Sequence, residues 1–477
     1  MKLRPLPGFA RGAYTAKSAM VAGTQLINMY SERVPPEDNK ARAALYPIHG
    51  TVDFGTLTDG PGRAIGFHVN RLFTVFGQTL FELGADGSPT TRGSVRLDGN
   101  PAYVESNGEA GNDLIACSGG RVDHLDLVTG VYTEGVLDEH ITHIGLLDGF
   151  LLALDSETGT LYVSESLAGE TWDPTQATQR TAAPDPWRAM TVVNREIYLL
   201  GGFTGDVWYN RGSSPFPLAA RPGGFFEVGI AAPFSLTPFG QTVAWLGQTK
   251  HGSGRVYWLN GYAPNVISTP AIEWSIQQIN DTAGIDDCVG WSYERDGHQF
   301  LVLDFPAGGI TWCFDAATNE WHQRAFWDSE LAVYQSYRPR WHTHGFGKNL
   351  VLDSQGFKVY SLSSTVFTDV EGHELRRVRR TPRQFDRHMR RFYPAAQLEC
   401  ARGVGTTSGQ GQNPKVGLRY SNDGGNTWGV SRMRSVGAKG KFTTRVRWNN
   451  CGSGVDRVWE LWTTDPAASY WFDFYVP

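Results

Sequence analysis

From residue 61 to residue 362 the chain repeats one pattern. A continuous apolar stretch is followed by a turn built on Gly or Asp, then by a second stretch rich in aromatic residues. The copies are RLFTVFGQTLFEL from Arg71, DLIACSGGRVDHLDL from Asp113, GFLLALDSETGTLYV from Gly149, EIYLLGGFTGDVWYN from Glu196, TVAWLGQTKHGSGRVYWLNG from Thr242, QFLVLDFPAGGITWCFD from Gln299 and NLVLDSQGFKVYSL from Asn349. Successive starts lie 42, 36, 47, 46, 57 and 50 residues apart. That is the loose spacing of four-stranded propeller blades, roughly 40 to 50 residues each. Runs such as Phe150-Leu151-Leu152-Ala153-Leu154 are apolar on both sides of the strand, as expected where one sheet stacks on the next. Seven copies predict about seven blades.

The flanks read differently. Residues 1–60 carry Pro5, Pro7, Pro35, Pro36 and Pro47 and too little periodicity for a core of their own, so they read as an extended N-terminal arm lying on something else, with a ragged terminus as the alternative. One helix interrupts the strands. Pro270 is preset for a first turn, and Ile272, Ile276 and Ile279 fall on a single stripe. After the repeats comes an Arg-rich connector over 371–391, and then six further strand-like segments over 392–477 with short Gly turns. The expected fold is all-β. It comprises an extended arm (1–60), a β-propeller (61–370), the connector (371–391) and a C-terminal β-sandwich-like domain (392–477).

Composition narrows the class. Gly is 56 of 477 residues, Trp is 16, and only 19% of residues are charged, which rules out a coiled coil and a disordered chain. A net charge of −5 gives no global basic field for nucleic acid. Arg outnumbers Lys 34 to 9, and Arg is the better residue for buried forks because its guanidinium is weakly hydrated. Five scattered Cys without a CxxC pair argue for a reducing compartment and against a disulfide framework or structural zinc. The N-terminal residues lack the apolar core of a signal peptide. The most apolar stretch, 144–154, is broken by Asp148 and Gly149, so no membrane insertion is expected.

Candidate chemistry is sparse. Ser421-Asn422-Asp423-Gly424-Gly425-Asn426-Thr427-Trp428 matches the Asp-box S-x-D-x-G-x-T-W, and Gly169-Glu170-Thr171-Trp172 is a degenerate copy. The box is a structural turn. Asp423, helped by Ser421, accepts backbone N–H groups, Gly425 takes positive φ, and Trp428 tucks into the sheet. A sialidase would also need converging arginines and a Tyr/Glu pair, and these cannot be assembled from the sequence. His342 and His344 share a strand face but have no third ligand, and Asp286-Asp287 reads as a turn, so no metal or cofactor is expected. No nucleotide-binding, nucleophile-elbow or zinc-protease motif occurs, and no enzyme is predicted. Arg376, Arg377, Arg379, Arg380, Arg383, Arg387, Arg390 and Arg391 fit an interface or an interdomain staple better than a DNA surface, which would add Lys and more stacking aromatics.

Several separated blocks resemble a known family. Residues 297–324 hold the runs 298–306, 311–315 and 319–324; around them stand Asn28-Met29-Tyr30-Ser31-Glu32, Gly403-Val404-Gly405, 418–425 and Arg445-Val446-Arg447-Trp448. In this order they resemble the packaged DNA stabilisation proteins of bacteriophages, the tail hubs or tail accessory factors of short-tailed phages. Cys451 and the Gly-Ser-Gly after it depart from that pattern. The resemblance implies a structural virion protein of the tail, assembled in the host cytoplasm as a homo-oligomeric ring, hexameric in relatives. Such a ring sits below the portal and its adaptor (head completion) proteins, retains packaged DNA, lets it pass through a lumen at ejection, and anchors tail needle or fibre and spike proteins. Tyr30 and Glu32 join the arginines as interface candidates. Two other readings stay open: a sialidase-like propeller glycosidase, and a glycan-binding propeller without catalysis.

Overall fold

The computed structural model describes residues 3–18, 22–33, 43–181, 183–214 and 216–477. All seven repeats form the second and third strands of four-stranded antiparallel blades, to which blade 5 adds Gly229–Ile230 on Thr242–Thr249. Blade 1 comprises Gly62–His68, Arg71–Phe76, Thr79–Leu83 and Pro89–Ser94. Blades 2 and 3 share one long strand, Tyr132–Leu147, whose first half is the outer strand of blade 2 and whose second half is the inner strand of blade 3. Blade 4 begins at Trp187–Val193, blade 5 at Thr237–Phe239, blade 6 at Val289–Arg295 and blade 7 at Pro339–Gly345. The seven inner strands neighbour one another in a closed ring. Gly50–Thr56 pairs with Lys358–Ser363 as the outer strand of blade 7, so a strand from before blade 1 closes the circle.

The doubly apolar strands are explained by stacking. Six of the seven blade-to-blade seams have a buried cluster of their own, such as Phe73, Val75, Leu114 and Ala116 between blades 1 and 2, and the seam between blades 5 and 6 is continuous with the sandwich core. Leu72, Phe76, Leu350 and Leu352 fill the seam between blades 7 and 1. At roughly 1.5–3 kcal/mol per buried large apolar side chain, these seams are the main force holding the ring.

The second body is a β-sandwich. One sheet orders Met29–Arg33, Ala43–Pro47, Trp471–Val476, Ala395–Cys400 and Val446–Asn449, with Arg4–Pro5 on Trp471–Val476. The other orders Gly23–Ile27, Arg377–Arg380, Asp456–Thr463, Lys415–Ser421 and Arg432–Ser435. Leu26, Met29, Leu398, Leu418, Trp448, Trp459 and Phe474 belong to the core between them. Gly23–Ile27 also pairs with the outer strand of blade 6, Glu320–Arg324, giving one eleven-stranded sheet across both bodies. Residues of the N-terminal segment therefore complete both the sandwich and the propeller.

Asn28 makes the crossing between the sandwich sheets. Its φ of 55° lies in the left-handed region that Asn tolerates, and it separates Gly23–Ile27 from Met29–Arg33. The helix forms as its stripe dictates, over Pro270–Thr282. Thr269 caps it by accepting from the Ile272 N–H, and Ile272, Ile276 and Ile279 are buried against blades 5 and 6.

Candidate interaction surfaces and the central channel

The arginine block is a strand whose two faces do different things. Arg377 and Arg379 alternate onto one face and are fully buried. Arg377 donates to the carbonyls of Ala467 (2.8 Å) and Asp465. Arg379 donates to the carbonyls of Gly8 (2.7 Å), Gly12 and Gln25. Burial disfavours the charged form and pushes both guanidinium groups down to about 10, still protonated at neutral pH. A side chain with no exposed surface cannot meet a neighbouring molecule. Arg377 and Arg379 staple the chain to itself and are not available as interface residues.

The opposite face stacks on aromatics. The Arg376 guanidinium lies 4.1 Å from the Trp327 ring centre and 4.6 Å from that of Trp462, which joins blade 6's exit to the sandwich. Arg380 and Arg419 both bond Glu460 and both cover Trp428. Arg383 bonds Asp456 and lies over Phe385. Past this point the block reaches the surface. Arg387, Arg390 and Arg391 are exposed, with Arg391 paired to Asp386 at 2.6 Å.

Tyr30 and Glu32 sit on Met29–Arg33, pressed against blade 6. Tyr30 is buried against His298 and Phe300, with ring centres 4.8 and 5.3 Å away. Glu32 receives His298 Nε2 at 2.6 Å, and His298 Nδ1 meets Asp315 at 2.8 Å. Burial opposes the imidazolium, but the two carboxylates prevail and raise His298 to about 9. The imidazolium thus ties the arm to the propeller. A cleft of about 360 Å³ opens beside it, lined by Tyr46, His49, Asp296 and Tyr470 among others. Sequence reasoning missed His298, although it lies inside the quoted block at 298–306.

The Asp-box lies in the sandwich and is a saturated turn. The Asp423 carboxylate accepts from the Ser421 hydroxyl (2.6 Å), the Thr427 N–H and the Thr427 hydroxyl (2.6 Å), which hold it well below the usual carboxylate range. Gly425 has φ +105°, and Trp428 Nε1 donates to its carbonyl at 3.0 Å. The degenerate copy keeps that last bond, from Trp172 to Gly169, also at 3.0 Å. There Asp113 accepts from the Gly169 N–H, the place the Ser421 hydroxyl holds toward the Gly425 N–H in the full box.

Asp113 also bonds His124 at 2.8 Å, and Glu170 lies 3.8 Å from the same nitrogen. Among the described residues this trio alone has a metal-like grouping. Its Asp113 oxygens already accept from His124, Asn107 and Gly169, so hydrogen bonding accounts for the arrangement. His342 and His344 do share a face, and both reach Asn349 Oδ1, at 3.0 and 3.2 Å. Asp287 accepts from the Ala307 N–H in the turn before blade 6.

All seven blades line the central channel, a hollow of about 410 Å³. Trp341 sits at a bulge with φ 57° and lies beside Tyr103, which adjoins His143, itself stacked on Phe234. Glu105 is the one carboxylate among the described lining residues, and burial raises it. No arginine lines the channel among them.

A family model described as bacteriophage P22 Gp10, beta-propeller, matches residues 5–367, spanning the arm segment and all seven blades. The chain belongs to the bacteriophage P22 Gp10 β-propeller family. It is accordingly a phage structural β-propeller protein. No curated protein matches the chain. Among solved structures it is similar to the N-terminal domain of Nup159, at 10% identity and TM-score 0.42, over 69% of this chain and 98% of that one. It is also similar to the Neurospora crassa Pan2 WD40 domain, at 11% identity and TM-score 0.40, over 69% and 98%. A third is the computationally designed Ika8 protein, at 10% identity and TM-score 0.38, over 65% and 99%. No helix among the described residues is long and apolar enough to cross a membrane.

Proposed function

We propose that this chain is a non-catalytic tail hub of the virion, a head-to-tail connector component that attaches below the portal and its adaptor, retains packaged DNA and anchors distal tail proteins. The observation that carries the reading is the family match over residues 5–367, the stretch that builds the arm and the propeller. The architecture supports it. Stapling by buried arginines and a sheet continuous from blade 6 into the sandwich make a stiff body suited to transmitting contact between neighbours. The channel is in keeping with the non-catalytic part, since its described lining residues include no arginine and one carboxylate, Glu105, against the cluster and carboxylate set a glycosidase uses. A hollow of about 410 Å³ is also too small for a duplex, whose major groove alone is about 12 Å wide. DNA on this reading passes between copies, not through a propeller.

The test is genome retention. Phage assembled without this protein should package DNA and then lose it, and supplying the chain in trans should restore filled heads. Filled, stable heads in its absence would refute the hub role. Turnover of sialosides or capsular glycans by the purified chain would refute the non-catalytic reading.

A further inference from the structure

The charge of this chain is separated along its length. Residues 371–477 carry 18 Lys and Arg against 9 Asp and Glu, whereas residues 1–370 carry 25 against 39. The positive excess has a definite place. Residues 424–455 hold six Lys and Arg and no Asp or Glu. They span Arg432–Ser435, the last strand of the eleven-stranded sheet, and Val446–Asn449, the last strand of the other sandwich sheet. At about 4.8 Å per strand, Arg432–Ser435 stands five steps, roughly 24 Å, beyond blade 6. Arg434, Lys439, Lys441 and Arg445 are exposed there, beside Val430 and Phe442 at 89% and 67% exposure.

The negative excess is equally localised. Residues 101–180 hold 14 Asp and Glu against two Arg and no Lys. They build blades 2 and 3, and exposed members include Glu134, Asp138 and Glu139 on the outer strand of blade 2 and Glu165, Glu170 and Asp173 around the outer turns of blade 3. Val128 and Val131 are exposed among them. In a ring of seven, blades 2 and 3 each lie three blades from blade 6. The acidic rim and the basic edge are therefore at opposite ends of the molecule and cannot neutralise each other within one chain.

We infer that the basic distal edge of the sandwich docks on the acidic rim of blades 2 and 3 of a second copy, in a head-to-tail contact. Charge complementarity selects the partner. Each end offers what the other lacks, and exposed apolar side chains at both ends give the contact a dry centre. Such a contact uses two different patches, so each copy in a pair keeps one end free for a further copy, and repetition builds a ring or a filament. The inference rests on the chain being an assembling virion subunit and names the surfaces that reading leaves open.

Sedimentation velocity of the full chain between 50 and 500 mM NaCl tests it. Self-association should weaken at least about tenfold over that range. K439E/K441E/R445E and E139K/E165K/D173K should each lose association, and an equimolar mixture of the two should regain it. The neutral set K439Q/K441Q/R445Q should fall between, and unchanged circular dichroism establishes that each variant folds. A monomeric wild type, salt-independent association, or reversed variants that assemble normally would overturn the contact while leaving the genome-retention result intact. So would a reversed basic edge that assembles but no longer binds a 30-bp duplex, which would assign that edge to DNA.

Discussion

The side-chain amide of Asn28 pairs with the backbone of Ala325 as a neighbouring strand would. Its Nδ2 donates to the Ala325 carbonyl at 2.8 Å, and its Oδ1 accepts from the Ala325 N–H at 2.9 Å. A second Nδ2 bond reaches the Arg376 carbonyl at 2.9 Å, so one buried amide joins the arm, the exit of blade 6 and the arginine strand.

Replacing Asn28 with Ala removes three buried hydrogen bonds and puts at left-handed φ a residue that tolerates it less well than Asn. The expected cost is about 3 kcal/mol, read as a lowered denaturation midpoint and faster amide exchange at Ala325. N28G should regain roughly 1 kcal/mol of this by relieving the backbone. Equal loss in both variants would show that φ contributes nothing.

Arg379→Met keeps the volume and leaves the carbonyls of Gly8, Gly12 and Gln25 without their shared donor. We expect about 2–4 kcal/mol of destabilisation, confined to the sandwich and arm, with proteolysis appearing first near residues 8–25. Arg387→Met, on the exposed part of the same block, should be neutral for stability. Equal sensitivity at the two sites would contradict the burial pattern.

The Glu32–His298–Asp315 contact should make the arm pH-sensitive on the alkaline side. Because the folded His298 is raised to about 9 from an ordinary 6.5, its contribution is complete below pH 6.5 and is lost as pH climbs through 9. Arm protection against proteolysis should fall between pH 7 and pH 10 in the wild type, and H298Q should flatten that dependence. A His298 resonance, assigned by its loss in H298Q, that titrates near 6.5 would disprove the linkage.

Two truncations separate the roles of the N-terminal segment. Removing residues 1–48 spares Gly50–Thr56 and should leave the propeller closed while stripping strands from the sandwich. Removing residues 1–57 should expose the edge of Lys358–Ser363 and cause aggregation. Identical behaviour of the two proteins would mean that the closing strand is dispensable.

The propeller was legible because its repeats are apolar on both faces, a signal that survives degenerate spacing. The arm's low periodicity was also legible, but its destination was not. Strands such as Gly23–Ile27 owe their partners to residues 296 to 355 positions away, and no local pattern encodes that pairing. The arginine block was visible as composition, yet only the alternation in Arg376-Arg377-Val378-Arg379-Arg380 divides stacking residues from buried staples, and this follows once the segment is known to be a central strand. His298 carried no spacing signal, because its carboxylate partners come from a neighbouring strand and from the arm.

Arg4 pairs with Val476, and Gly50–Thr56 waits for Lys358–Ser363. During synthesis Arg4–Pro5 must therefore stay unmatched until Trp471–Val476 has left the ribosome, and Gly50–Thr56 until Lys358–Ser363 has. Neither body can lock before translation reaches its far end, so a prematurely terminated chain would present open sheet edges to chaperones and proteases instead of a usable fragment.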